Sequence, residues 1–125
     1  MARNAIQPEG LATPKPPYSP VVISGDTVYT AGQIANGPDG NLVEGGIVEQ
    51  TRQTLENVKT CVEAGGLTMG DVVKVNAYLS SLDDFAGYNE VYKEYFDAPY
   101  PVRTSVQVGL PAGVLVEIEA VARKS

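Results

Sequence analysis

Residues 47–66 read IVEQTRQTLENVKTCVEAGG, and they decide the fold class because they predict one long helix between two groups of strands. Four positions recur at spacings of four, three and four residues, the period of one helix face: Thr51, Leu55, Val58 and Val62. Glu49 stands near the start and Gly65-Gly66 at the end, where glycine commonly ends a helix. The pattern predicts a helix from Ile47 to Ala64.

On the N-terminal side of this helix, the sequence predicts a β-hairpin. The two strands are residues 21–24 and 27–30, and Gly25-Asp26 between them is a turn signal. Residues 1–17 are rich in proline, which predicts an extended, non-helical lead-in to the hairpin.

On the C-terminal side, the sequence predicts one strand, a second helix and two further strands. The strand covers residues 71–79, and residues 81–84 resemble a capping box that opens the helix. Aromatic residues follow at helical spacing, a stripe more typical of core than of a cofactor site: Phe85, Tyr88, Tyr92, Tyr95 and Phe96. The last strands are predicted at residues 104–108 and 114–123.

The resulting element order, ββαβαββ, predicts an α+β fold for one domain over residues 1–125. Single helices between strands favour one mixed sheet with both helices on the same face. The opposite face then has to be covered by water, by a ligand or by another subunit.

Composition excludes several classes of function. The chain has 125 residues and a net charge of −6, which disfavours a general nucleic-acid-binding protein. It has no histidine and one cysteine, Cys61, so a histidine-based triad, a histidine-ligated zinc site and an internal disulfide are excluded. Apolar runs are too short for a membrane span or a secretory signal, so we expect a cytoplasmic protein.

Alternation along the last two strands separates a polar face from an apolar one. The apolar set, with Thr104, Val106 and Val108 from the first strand, is expected under the helices. The other face carries Arg103, Ser105, Gln107, Glu117 and Glu119. If the two strands pair as a hairpin, Ser105 lies opposite Glu117, and Arg103 lies roughly 7–8 Å from Glu117 on the diagonal.

Two interpretations of this polar face stay open. It is either an ordinary solvated ion pair of small energy or a site in which Arg103 binds a carboxylate and Glu117 orients a water. Cys61 is expected to be a packed thiol, and Tyr18, fixed by neighbouring prolines, is either a packing residue or a site wall. We find no nucleotide-binding, metal or cofactor motif.

Several stretches resemble the Rid (reactive intermediate deaminase, YjgF-type) family along nearly the whole chain, from about Tyr18 to Arg123. They include TAGQI at 30–34, TRQTLENV at 51–58 and DFA at 84–86. They also include PVR at 101–103, Leu110-Pro111 and EIEA at 117–120, and the most specific block runs from Arg103 to Glu117.

The resemblance implies a chorismate-mutase-like fold and a homotrimer whose sheets form a central barrel, with sites between subunits. It also implies hydrolysis of 2-iminobutanoate- or 2-iminopropanoate-like imino acids, without metal or cofactor. Carried over to this chain, the resemblance implies that Arg103 binds the carboxylate and Glu117 positions water. It implies that Tyr18 and Asn89 line the cleft. Gly32 and Ser105 would offer backbone contacts.

Three features depart from the best-known imine deaminases. Ser105 stands where they usually carry cysteine, Ala31 where they commonly carry serine, and the loop at Gly109-Leu110 is one residue shorter. The departures bear on pocket shape and substrate range. Two alternatives therefore stay open: a non-catalytic small-carboxylate-binding protein, and an endoribonuclease or translation inhibitor, an activity attributed to some relatives.

Overall fold

The computed structural model describes residues 3–125, which form a six-stranded sheet and two α-helices. The elements in chain order are β1 (Asn4–Ile6), β2 (Val21–Ser24), β3 (Thr27–Thr30), α1 (Ile47–Ala64), β4 (Val72–Leu79), α2 (Phe85–Tyr92), β5 (Val102–Gln107) and β6 (Val116–Arg123). The predicted α+β class is confirmed. β1 lies within the predicted lead-in, whose first two residues fall outside the described range.

α1 has the predicted bounds because both of its ends are set by local chemistry. The Glu49 side chain reaches back and accepts a hydrogen bond from the Gly46 amide at 2.8 Å. At the other end Gly65 packs so closely on Val28 that a side chain at this position would collide with it. Gly66 has φ +88°, a left-handed conformation that favours glycine. Together these glycines end the helix and turn the chain toward β4.

The core lies between the helices and one face of the sheet. α1 contributes the predicted face, with Thr51, Leu55, Val58 and Val62 all buried. The predicted core role of the aromatic stripe is confirmed for Tyr88, Tyr92 and Phe96, which are buried side by side. α2 is shorter than predicted because the chain leaves the helix after Tyr92 and continues in turns toward the prolines at 99 and 101.

The strand order, β1-β2-β3-β6-β4-β5, corrects the predicted hairpin of the last two strands. β4 lies between β5 and β6 and is parallel to β5 and antiparallel to β6. A parallel pair needs a crossover, and α2 supplies it by linking β4 to β5 across the face of the sheet. Alternation along a strand gives its two faces but does not identify its neighbour, so the hairpin prediction failed there.

The faces of β5 are also the reverse of those predicted. Arg103 and Ser105 are paired with Val75 and Ala77 of β4, whose side chains are buried under the helices. They therefore point to the helix side of the sheet. Thr104 and Val106, predicted under the helices, face the open side and are exposed.

Neither helix in the described part of the chain combines the length and apolar character that a membrane span requires.

Candidate active site

Arg103 lies on β5, at the edge of the sheet, and is held against α2 by aromatic rings. Its guanidinium carbon is 4.6 Å from the ring centre of Tyr92, 5.2 Å from that of Tyr88 and 5.6 Å from that of Phe85. Its Nη1 donates a hydrogen bond to Oδ1 of Asn89 at 2.7 Å. A cation over aromatic faces is attracted by the ring quadrupoles. These contacts fix the guanidinium before any ligand arrives.

The guanidinium of Arg103 carries a charge that the surrounding side chains do not neutralise. Within residues 3–125, carboxylates lie in ion-pair range of Arg52 and Lys93, but none does so for Arg103. Arg103 is exposed and borders a cleft of about 400 Å³ together with Asn89, Tyr92 and Tyr100. A fixed, unpaired guanidinium beside a cleft is suited to binding a carboxylate through two parallel hydrogen bonds.

Ser105 follows Arg103 on the same face of β5 and contacts the same helix. Its Oγ is 3.0 Å from the hydroxyl oxygen of the fully buried Tyr88. Burial raises the pKa of Tyr88, while the hydrogen bond to Ser105 and the nearby Arg103 charge act in the opposite direction. Tyr88 therefore contacts both Arg103 and Ser105, the two β5 residues predicted for the site.

Glu117 lies on β6, on the open face of the sheet. It is partly buried, and burial raises the pKa of its carboxyl group, with the negative charge of Glu119 adding to the effect. The carboxylate lies directly over Gly32, where even a methyl group would collide with it. A side chain at position 32 would therefore displace the Glu117 carboxylate. The sequence carried no signal that joined these two residues.

Glu119, two residues further along β6, is held in place by β4. Asn76 Nδ2 donates to one carboxylate oxygen at 3.2 Å, and the Tyr78 hydroxyl donates to the other at 3.2 Å. Glu117 accepts no such bond from the described residues, although it pairs with Tyr78 in register. Glu119 is therefore held in place by two hydrogen bonds that Glu117 lacks. Alternation along β4 would have placed Asn76 and Tyr78 on this polar face.

Tyr18 and Gly32 line a second cleft, of about 310 Å³, between the lead-in and the segment after β3. Tyr18 is 54% exposed, so it forms a cleft wall and is not a core residue. Asn57 of α1 fixes the other wall, because its Nδ2 donates to the carbonyl oxygens of Ile34 and Asn36 at 3.0 and 2.8 Å. Helix α1 thereby fixes the segment that carries Gly32.

The structure places the sequence-predicted residues in two groups. Arg103, Ser105 and Asn89 lie together on the helix side of the sheet. Glu117 lies over Gly32 on the open face, and Gly32 shares a cleft with Tyr18. Arg103 pairs with Val75 and Glu117 with Tyr78, three positions apart on β4, so their side chains leave the sheet on opposite faces. The predicted diagonal contact between Arg103 and Glu117 is wrong, because β4 separates their strands.

One other interpretation of the sequence, that of Cys61, is tested by burial. Cys61 is fully buried on α1, and burial raises the pKa of its thiol to about 12, which confirms a packed, unreactive group. Within residues 3–125, no three acidic or cysteine side chains converge as they would around a metal ion.

Comparison with known proteins gives consistent matches along the chain. The Endoribonuclease L-PSP family model matches residues 10–124. A RutC family protein of Pyrococcus horikoshii is 50% identical over 115 residues, covering 89% of this chain and 91% of that protein. The human 2-iminobutanoate/2-iminopropanoate deaminase is 43% identical over 108 residues, covering 85% of this chain and 79% of the human protein. The crystal structure of Escherichia coli TdcF with bound serine has a TM-score of 0.91 at 42% identity, covering 98% of this chain and 99% of TdcF.

Proposed function

This chain belongs to the Endoribonuclease L-PSP family, which includes the YjgF, RutC and Rid proteins, and we propose that it hydrolyses small 2-imino acids. In the reaction, water adds to the carbon of a protonated imine, the C–N bond breaks, and a 2-oxo acid and ammonium are released. The human relative is named for this activity on 2-iminobutanoate and 2-iminopropanoate.

The observation that carries the proposal is the preorganised and unpaired guanidinium of Arg103. We assign it to the substrate carboxylate, because the aromatic stack and Asn89 hold it while leaving no carboxylate of the described chain in ion-pair contact. Because Arg103 is already held in place, binding of the substrate carboxylate positions the imine carbon for attack by water at little entropic cost. Asn89 and Tyr92 line the cleft at this end.

Glu117 is assigned the second role, that of orienting the attacking water. In its ionised form, a carboxylate with a raised pKa is a better proton acceptor than an ordinary glutamate. The imine is already an electrophile, so a positioned water and charge control are sufficient for the step. We assign Tyr18 and Gly32 to the wall of the site and the Ser105 backbone to substrate contact.

Because Arg103 and Glu117 leave one sheet on opposite faces, we propose that the complete site forms between two subunits of a homotrimer. One subunit supplies the Arg103 edge, and its neighbour supplies Glu117, Gly32 and Tyr18. The exposed apolar side chains on the open face, Val102 and Val106 among them, support burial of this face against other copies. A closed cyclic assembly repeats the same contact at each interface.

The test is release of ammonia and 2-oxo acid from 2-iminopropanoate generated in situ by an amino-acid oxidase. The wild-type chain should accelerate release over buffer, and Arg103→Ala and Glu117→Ala should abolish the acceleration. Arg52→Ala is the matched control, since this arginine pairs with Glu94 at 2.7 Å on the exposed surface of α1. A folded wild-type trimer without acceleration would overturn the assignment.

Binding of a carboxylate without turnover is the second candidate function, and the same unpaired Arg103 favours it. Titration with 2-oxobutanoate separates the two, since a binding protein would retain Arg103-dependent affinity without releasing ammonia. Cleavage of RNA, the activity in the family's name, is distinguished by a ribonuclease assay in which Arg103→Ala and Glu117→Ala are compared with wild type.

A further inference from the structure

The contact between Tyr88 and Ser105 lies beside the proposed carboxylate-binding group but has no role in the reaction described above. Tyr88 is fully buried on α2, and its hydroxyl is 3.0 Å from Ser105 Oγ on β5. The same ring lies 5.2 Å from the guanidinium carbon of Arg103. One buried side chain therefore contacts both Arg103 and Ser105 on β5.

The protons in this pair have a preferred arrangement. A phenol is a stronger acid than an aliphatic hydroxyl and hence the better donor, and burial keeps Tyr88 protonated. The Arg103 charge beside the ring further favours Tyr88 as a donor. If Tyr88 donates to Ser105 Oγ, the single proton of Ser105 is left for another acceptor. Ser105 keeps partial exposure at the edge strand, where a ligand can supply that acceptor.

The spacing of Arg103 and Ser105 indicates which part of a ligand Ser105 would reach. The Cα atoms of residues two apart on one face of a strand are separated by about 6.6 Å. A short acid that lies along β5 with its carboxylate on Arg103 would extend the substituent on carbon 3 toward Ser105. A hydroxyl oxygen at that carbon would accept the Ser105 proton, whereas a methyl group would leave it unpaired.

We propose that Ser105, positioned by Tyr88, is a specificity-determining residue that favours 2-imino acids with a hydroxyl group on carbon 3 over their alkyl counterparts. The inference rests on the proposed function for its site and on the Tyr88–Ser105 contact for its selectivity. The favoured substrate, 3-hydroxy-2-iminopropanoate, would react with one water to give 3-hydroxy-2-oxopropanoate and ammonium. Tyr88 acts only through Ser105 and Arg103 and is a positioning residue.

The experiment compares kcat/KM for 3-hydroxy-2-iminopropanoate and 2-iminopropanoate, generated by an amino-acid oxidase from serine and alanine. In the wild type, the ratio should favour the hydroxylated imine by about fivefold, the typical effect of one hydrogen bond at a partly exposed site. Ser105→Ala should bring the ratio close to one. Tyr88→Phe, which keeps the ring under Arg103, should lower the ratio in part, and the double variant should lower it no further than Ser105→Ala.

Tyr95→Phe is the matched control, because the Tyr95 hydroxyl bonds to Glu56 at 2.6 Å, away from Arg103; its ratio should equal that of wild type. A wild-type ratio near one, or a ratio that Ser105→Ala leaves unchanged, would overturn the inference.

A second measurement separates this inference from the proposed function. Calorimetric titration with 3-hydroxy-2-oxopropanoate and 2-oxopropanoate measures the same preference without turnover. If wild type releases no ammonia but prefers the hydroxylated acid through Ser105, the catalytic proposal fails and the specificity inference stands. If ammonia is released and both acids bind equally, the specificity inference is wrong and the catalytic proposal stands.

Discussion

The Arg103 edge and the Glu117 face are built by opposite strategies. At the edge, an exposed cation is fixed by three aromatic rings and an amide, and it has no partner carboxylate among the described residues. On the open face, a partly buried anion lies over a glycine beside a second carboxylate. The first arrangement keeps a charge in place and available. The arrangement at Glu117 disfavours the ionised form of the carboxyl group and thereby makes the carboxylate a better base.

Under the proposed mechanism, neither region alone supplies both groups of the site. A guanidinium alone binds an anion, and a raised-pKa carboxylate alone has no substrate to act on. Since the sheet separates them, the proposed chemistry needs contact between copies.

Mixing two inactive variants should produce the largest change in enzymatic activity. Glu117→Ala and Arg103→Ala should each lower kcat/KM by about 10²–10⁴-fold, because a proton acceptor or the charged substrate contact is lost. If Arg103 and Glu117 of different subunits share a site, refolding the two variants together at equal ratio should restore about a quarter of the sites.

Ammonia release from the co-refolded sample measures this restoration, with each variant refolded alone as control. Activity that stays at the level of the separate variants would show that both residues act within one subunit, and the intersubunit site would be abandoned.

Gly32→Ala should lower kcat strongly while the protein still folds. The new methyl group collides with the Glu117 carboxylate, and that flexible side chain can move aside at the expense of its catalytic position. A misplacement of this kind costs about 100-fold in rate. Gly70→Ala is the matched control, since its methyl group would meet only Thr68 Oγ1 at 3.5 Å. Steady-state kinetics and thermal unfolding together decide the outcome: a lowered Tm with normal kcat would contradict the proposed role.

Arg103→Lys should weaken substrate binding more than turnover. Lysine retains the charge but neither stacks as a plane on Tyr92 nor binds a carboxylate through two parallel bonds. We expect KM to rise about tenfold, with a smaller change in kcat. Substrate titration of the initial rate measures both constants, and an unchanged KM would argue that Arg103 does not contact the carboxylate.

The smallest change is expected in the pH dependence of kcat/KM. Glu117 must be ionised to accept a proton, so activity should fall as the pH drops through its raised pKa. Glu119→Gln removes the neighbouring negative charge and should lower the pKa of Glu117, shifting the acid limb to lower pH. Asp83→Asn, an exposed change near α2, is the control. A rate profile that Glu119→Gln leaves in place would show that another group titrates.

Local elements and the available types of chemical group could be predicted from the order of residues alone. The observed bounds of α1 were predicted from the helical period between Thr51 and Val62 and from the glycines at 65 and 66. Helix spacing and helix termination are local properties. Alternation on β6 correctly separated Glu117 and Glu119 from the buried Ile118 and Ala120. The absence of histidine limited acid–base chemistry to other groups.

The neighbours of each strand, and the face that β5 turns to the helices, depend on the folded arrangement. The crossover through α2 places β5 beside β4, which turns Arg103 toward the helices and away from Glu117. The Glu117–Gly32 approach and the Tyr88–Ser105 contact join residues 85 and 17 positions apart along the chain, respectively. Strand pairing depends on long-range packing of the whole core, and the period of a single strand contains no information about its partner.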